Sequence, residues 1–347
     1  MMKTKCFAAF SPVEELSSHT IFRRKIGKKD ILIEIEYCGV CHTDYHYAKN
    51  DWGITRYPSV PGHEIIGIVM DQGSDVKKTK IGDRVAVGCF VDSCRVCEPC
   101  INNLEQYCTQ GLVKTYNDLA SFQEGHTFGG YSKFIVVDKH FVFSIPETLD
   151  PAGAAPLLCA GITTFSPLNH WQIKKGKTVG IIGLGGLGHM AVKFSSALGA
   201  KTIVFTSSEG KSEDALTFGA DDVVITKNLS SLDTLSGKFD FLLNTVPAPH
   251  NFNVYMSLLK VDGTMCIVGS IGPTYDLNTR PLIFGRRRIA GSLVGGVEET
   301  QKMLNFCGEN NIVSEIEKID MKYINHAFMR MVKNDVKYRF VIDMKSL

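Results

Sequence analysis

The stretch "KTVGIIGLGGLGHM", Lys177–Met190, decides the fold. An apolar run reads as a strand, Gly183, Gly185 and Gly188 follow as G-x-G-x-x-G, and a helical pattern opens at once. That order of strand, glycine loop and helix is the setting in which the motif binds a dinucleotide. Gly183 permits a tight turn, Gly185 lets backbone approach a pyrophosphate, and Gly188 allows the helix to pack closely on the strand. The helix N-terminus then faces the anionic phosphates. Gly183, Gly185, Gly186, Leu187 and Gly188 form the candidate cradle.

Working outward, "KTIVFTSS", "DDVVIT", "FDFLLNTV" and "TMCIVGS" read as strands, and "KSEDALTFG" between them as a helix. Strands alternating with helices mean right-handed βαβ units and a parallel sheet. Upstream, the first 150 residues have a different texture. "DILIEIEYCGV", "IIGIVMDQG", "GDRVAVGCF" and "YSKFIVVDKHFVFSIP" are β-rich runs with turn signals, as in an irregular barrel or sandwich. Near the C-terminus, "VEETQKMLNFCGENN" reads as a helix and "YRFVIDM" as a strand.

The chain has 347 residues, with 44% hydrophobic and 21% charged, which suits two globular domains. A formal net charge of +2 gives no electrostatic case for nucleic acid or an anionic membrane surface. No stretch is long and apolar enough to span a bilayer, and the first residues lack the apolar core of an export signal. A reducing, cytoplasmic compartment is therefore expected, with the eleven cysteines as thiols or metal ligands.

Four of those cysteines, Cys94, Cys97, Cys100 and Cys108, crowd into "SCRVCEPCINNLEQYC" as C-x2-C-x2-C-x7-C. Thiolates so spaced on a tight loop reach one tetrahedral ion. The spacing does not fit the bacterial ferredoxin run, which has three residues before its last cysteine and a proline after it. A closed zinc site that holds a loop is expected. A second group is scattered: Cys41 in "CGVCHTDYH", His63 in "VPGHEIIG" and Cys159 in "PLLCAG". Two cysteines and a histidine are a ligand set that leaves zinc a fourth position for substrate, although the sequence alone does not bring them together.

The strand after the glycine helix ends in "KTIVFTSSEGK". NAD sites place an acid at this strand end, to bond the ribose 2′-hydroxyl. Here the position is Thr206, followed by Ser207 and Ser208, with Lys211 close behind. Hydroxyls and an ammonium suit a 2′-phosphate, so NADP(H) is the expected cofactor; Glu209 lies one turn beyond the place of an NAD-selecting acid.

"GHEIIGIVMDQGSDV" fits G-H-E-x2-G-x5-G-x2-V through Gly62, His63, Glu64, Gly67, Gly73 and Val76. With "CHTD", "GDRV", the four-cysteine lobe, "APLLCAGITT", "GLGGLGH" and "YRFVIDM" in order, the chain resembles the zinc-dependent medium-chain dehydrogenases, closest to their cinnamyl-alcohol-dehydrogenase-like branch. The resemblance implies an α/β architecture. A GroES-like catalytic domain covers residues 1–159 and 295–347, and a doubly wound Rossmann domain, residues 160–294, is inserted in it. It implies two zinc ions per chain, the catalytic one on Cys41, His63 and Cys159. Glu64 would sit beside that ion, Asp44 would orient His63, Thr43 and His46 would relay a proton, and His42 and Arg339 would lie near the pyrophosphate. It further implies a homodimer joined along "RRRIAGSLVGG". The expected activity is hydride transfer between NADP(H) and a primary alcohol or aldehyde, aromatic or aliphatic. A polyol dehydrogenase and a non-catalytic zinc- and cofactor-binding protein are the alternatives. Lys114 stands where the plant lignin enzymes carry a pocket tryptophan, so the branch name does not fix the substrate.

Overall fold

A computed structural model describes residues 1–227, 229–269, 272 and 276–347. The chain divides into two compact units, Met1–Cys159 with Gly295–Leu347, and Ala160–Val294.

The second unit is built on a six-stranded sheet in the order Asp222–Ile225, Lys201–Thr206, Thr178–Ile182, Phe239–Asn244, Leu259–Ile267, Arg288–Gly291. Every pairing is parallel. Numbered along the chain this is 3-2-1-4-5-6, the doubly wound order, and ligands bind such sheets beyond the carboxyl ends of the strands where the order reverses. Thr178–Ile182 lies at that reversal, between Lys201–Thr206 and Phe239–Asn244, and the glycine loop leaves its carboxyl end. The strands are near-continuous apolar runs because helices cover such sheets on both faces. Phe205, Phe239, Leu242, Met256 and Met265 pack into one buried cluster beside them.

The first unit centres on a seven-stranded sheet. Along its main path run Ile316–Asp320, Arg339–Asp343, Asp30–Val40, Ile65–Gln72, Arg84–Val87 and Phe143–Ser144, while Phe134–Asp138 also pairs with Asp30–Val40. In Asp30–Val40, Ile31, Ile33 and Ile35 are buried in alternation, the period-2 pattern of a strand with one face on the core. Arg339–Asp343 pairs antiparallel with that strand, placing Phe340 opposite Val40. The C-terminal segment thus enters a sheet begun by the first hundred residues. Beside it, Met2–Ala8 and Ser17–Arg23 form a two-stranded arm.

Arg23 ties that arm to the site. Its guanidinium, buried, donates to the carbonyls of Phe128 (2.6 Å), Gly129 (2.8 Å) and Phe134 (2.9 Å) and to Ser132 Oγ (2.7 Å). Those bonds hold the loop that carries Tyr131, whose hydroxyl donates to Asp44 Oδ2 at 3.1 Å.

Candidate active site

Cys41 closes the turn after Asp30–Val40 and precedes the helix His42–Lys49. The Asp44 carboxylate, fully buried, accepts from the Cys41 amide (2.9 Å) and the Gly62 amide (3.0 Å), and it pairs with His63 Nδ1 at 3.0 Å. With Nδ1–H committed to Asp44, His63 offers Nε2 to its other side, where Cys41 lies. Burial works against charge on His63, but the Asp44 carboxylate outweighs it and raises the imidazole well above its ordinary pKa.

Cys159, at the C-cap of a short 3₁₀ turn, brings its sulfur to 3.9 Å from Cys41 Sγ. Two thiolates on a tetrahedral zinc, each about 2.3 Å from it, stand about 3.8 Å apart, whereas a disulfide requires about 2.05 Å. Ligand atoms of Cys41, His63, Glu64 and Cys159 all lie within 4.8 Å of one another. Glu64 Oε1 is ion-paired to Arg339 Nη2, while Oε2 is buried without a partner. Burial lifts the Glu64 carboxyl to about 8, with the Arg339 guanidinium opposing the rise. The donor set, the sulfur spacing and the orphaned oxygen fit a metal with a fourth, exchangeable position.

The other metal set lies on the lobe with the helix Glu98–Ile101 and the 3₁₀ turn Glu105–Tyr107. Cys94 and Cys100 sulfurs are 3.9 Å apart, as are those of Cys97 and Cys108. The amides of Cys97 and Cys94 donate to Cys94 Sγ (3.3 Å) and Cys108 Sγ (3.4 Å). The Cys100 amide pulls the Cys97 thiol down to about 6, toward the thiolate that a metal needs. Four sulfurs close this site to substrate. All eleven cysteines are free of disulfides.

In the other unit, Gly183 has φ +91°, open to glycine, and a β-carbon on Gly188 would strike the Gly183 carbonyl. Gly185 faces open space, with nothing within 4 Å of where a β-carbon would stand. The helix Gly188–Ala197 begins there. Lys211 Nζ donates to the Leu184 carbonyl of the same loop at 3.0 Å. Thr206, buried at the strand end, accepts the Ser208 amide on Oγ1 at 3.2 Å, and Ser207 is exposed. Glu209 is 71% exposed and bonded to Lys227 at 3.2 Å. An open loop with a lysine against it, and no acid at the strand end, fits a dinucleotide with an extra phosphate.

Two of the expected residues have other surroundings here. His42 is exposed at the start of its helix. Arg339, buried, engages Glu64, a pairing of positions 275 residues apart that no local motif reveals. The sequence also leaves unmarked several residues that the fold gathers here. Asp51 Oδ2 lies 2.7 Å from His46 Nδ1. Tyr116 packs on His63 with ring centroids 5.8 Å apart, and Trp52 packs on His46 at 5.2 Å. Cys89 lies beside Leu158 and Cys159. Only Trp52 had a signal to follow, as an aromatic residue just past the relay helix.

A Rossmann sheet with an open glycine loop, in one chain with a Cys-Cys-His set and a four-cysteine lobe, defines a zinc-dependent dehydrogenase. Family models agree: that of the alcohol dehydrogenase GroES-like domain matches residues 27–147, and that of zinc-binding dehydrogenases matches residues 186–309. The aldehyde reductase YahK of Escherichia coli (strain K12) is 50% identical, covering 100% of this chain and 99% of the relative. The NADP-dependent alcohol dehydrogenase C 1 of Mycolicibacterium smegmatis is 49% identical over 100% and 99% of the two chains. Among solved structures, a cinnamyl alcohol dehydrogenase from Sorghum bicolor, SbCAD4, superposes with TM-score 0.95 at 43% identity, over 99% and 98% of the chains. The enzyme CAD from Helicobacter pylori, complexed with NADP(H), gives 0.92 at 42% identity, over 99% of each. The chain belongs to the zinc-binding medium-chain alcohol dehydrogenase family, in its cinnamyl-alcohol-dehydrogenase-like branch. The resemblance and the fold class expected from sequence are borne out, and the two metal sets are its two zinc sites.

Proposed function

We propose that this protein is an NADP-dependent alcohol dehydrogenase that works mainly as an aldehyde reductase. The observation that carries the reading is the convergence of Cys41, His63, Glu64 and Cys159, whose ligand atoms all lie within 4.8 Å of one another. The relatives, an aldehyde reductase and NADP-dependent alcohol dehydrogenases at 49–50% identity, support it. The Met1–Cys159 and Gly295–Leu347 segments form the catalytic domain, and Ala160–Val294 forms the cofactor domain.

Zinc in the Cys-Cys-His set supplies Lewis acidity toward a carbonyl oxygen, and NADPH supplies the hydride. The chain's own residues do the rest. Cys41, His63 and Cys159 hold the ion, and Asp44 fixes His63 in the tautomer that presents Nε2. Thr43 and His46, three positions apart, share one face of the helix. Thr43 is half-buried, His46 is 38% exposed and Asp51 is 43% exposed, so a proton drawn from solvent at Asp51 has hydrogen-bonding groups along its way inward. Glu64, held by Arg339, sits with a carboxylate oxygen among the converging ligand atoms. Thr206, Ser207, Ser208 and Lys211 bind the 2′-phosphate, and the loop Gly183, Gly185, Gly186, Leu187, Gly188 binds the pyrophosphate.

Lys114 Nζ lies 2.7 Å from Asp118 and over the Tyr47 ring at 6.0 Å. That ion pair where the plant enzymes have indole supports simple primary aldehydes, not phenylpropenyl ones, as substrates. The outer strand Arg288–Gly291 supports a homodimer formed edge to edge. No helix among the described residues is long and apolar enough to cross a membrane, and eleven unpaired cysteines support a reducing cytoplasm. The test is a spectrophotometric panel of benzaldehyde, short aldehydes and sorbitol with both cofactors. Aldehyde-dependent oxidation of NADPH is expected. Turnover of sorbitol alone moves the protein to the polyol dehydrogenases, and no turnover with either cofactor leaves a binding protein.

A further inference from the structure

Four donors converge on the fully buried Asp44 carboxylate, two on each oxygen. Oδ1 meets the Gly62 amide and His63 Nδ1, and Oδ2 meets the Cys41 amide and the Tyr131 hydroxyl. The first three belong to the metal set or its neighbours in sequence. Tyr131 is 87 positions from Asp44, fully buried, and none of the functional roles assigned above uses it. Its place is fixed from two sides. The amides of Gly129, Gly130 and Tyr131 donate to the carbonyls of Val60 (2.7 Å), Gly62 (2.8 Å) and Pro61 (2.9 Å), the residues just before His63. On the other side Phe7 donates its amide to the Tyr131 carbonyl at 2.9 Å, and the Arg23 guanidinium clamps the carbonyls of Phe128, Gly129 and Phe134.

We propose that Tyr131 is a positioning residue for the catalytic zinc: its hydroxyl fills the last acceptor site of Asp44 and so locks the imidazole of His63. The inference rests on the zinc-dehydrogenase reading above and deepens it. A carboxylate has about four lone-pair sites, and here each one is taken. With three donors, a buried carboxylate keeps a site unfilled and can turn about its Cβ–Cγ bond, and the imidazole bonded to Oδ1 turns with it. With four donors it has one orientation. The hydroxyl bond is charge-assisted, about twice as strong as one between neutral groups. Carboxylates behind a metal-bound histidine set metal affinity or activity by about 10- to 100-fold. Tyr131 acts one bond further out, through Asp44, and touches neither metal nor substrate.

The test follows cobalt(II) exchanged into Cys41, His63 and Cys159 of the whole enzyme, with release to a chelator read from the decay of its visible absorption. Tyr131→Phe removes one oxygen and keeps the ring. It should speed cobalt release about tenfold and leave zinc release from the four-cysteine lobe unchanged. It should also lower kcat for aldehyde reduction while KM for NADPH stays the same. In an Asp44→Asn background, with no carboxylate to receive the hydroxyl, Tyr131→Phe should add little. Arg23→Lys keeps the charge with fewer donors, and the loosened loop should give the same faster release should the phenylalanine variant not fold. Cobalt release as slow in the variant as in wild type overturns the proposal, and so does an effect equally large without the Asp44 carboxylate. Failure of wild type to take up cobalt at Cys41, His63 and Cys159 overturns the zinc reading along with it, whereas uptake with unchanged release overturns the role of Tyr131 alone.

Discussion

Thr43 is a hydroxyl whose replacement by valine keeps the shape and removes only the proton path. Thr43→Val is expected to lower kcat on the order of 10²–10⁴-fold with little change in KM, and stopped-flow reduction of an aldehyde checks it. Asp51→Asn keeps the contact to His46 Nδ1 at 2.7 Å but removes the carboxylate. It should slow turnover less, and exogenous buffer should recover part of the loss. Thr206→Asp should swing the kcat/KM ratio toward NADH, while Lys211→Ala should weaken NADPH alone; equal loss with both cofactors would contradict the phosphate role. At this scale the sequence was most informative where chemistry is contiguous. Thr43, Asp44 and His46 stand in one short string with Cys41. Asp51 was not legible, because Asn50 turns the chain with φ 56° and the Asp51 amide then bonds back to the His46 carbonyl at 3.0 Å. That turn is a property of the backbone and no motif marks it.

Among the elements, the four-cysteine lobe does more than hold itself together. Glu105, between Cys100 and Cys108, is buried and accepts the amide of Val297 at 3.0 Å, the first residue of the helix Val297–Asn310. Its other oxygen meets His140 Nε2 at 3.2 Å. A carboxylate at a helix N-terminus satisfies an unpaired amide and the positive end of the dipole. Burial pushes the Glu105 pKa up, but His140 and the Val297 amide prevail and hold it below its ordinary 4.5. The folded protein therefore binds this proton less tightly than the unfolded chain. Its contribution is complete above about pH 4.5 and disappears as pH falls through the depressed folded value. Glu105→Gln should cost about 1–2 kcal/mol at neutral pH, and its acid-unfolding curve, followed by circular dichroism, should converge on wild type at low pH. Cys100→Ser should lower the thermal midpoint and free the lobe for proteolysis while the catalytic set still binds metal. By contrast, Cys41→Ser should abolish turnover with little effect on the midpoint. The strands of the parallel sheet were legible from apolar runs with turns between them, and the glycine loop from its spacing. The short 3₁₀ turns, such as Ala155–Leu158 before Cys159, were not, since three or four residues carry no period.

For the molecule as a whole, elemental analysis should return two zinc ions per 38.3 kDa chain. Light scattering should give twice that mass, and a monomeric reading would remove the edge-to-edge dimer. A strong chelator should end activity and lower the thermal midpoint, and added zinc should restore both. Architecture was readable only by resemblance at this scale. Nothing local says that "YRFVIDM" must lie against "DILIEIEYCGV"; that pairing, Phe340 opposite Val40, is bought by burying both strands in one sheet.

The ion pair of Glu64 with Arg339 has a consequence for how the polypeptide is made. A ribosome delivers Glu64 long before Arg339, with the whole of residues 160–294 in between. The inserted unit is contiguous and free to fold as it emerges, whereas the N-terminal sheet waits, its Asp30–Val40 edge open and its acidic side chain without a counter-ion. Nascent chains of this protein are therefore expected to acquire a protease-resistant core from the middle outward. Holdase chaperones would be needed most by the part translated first.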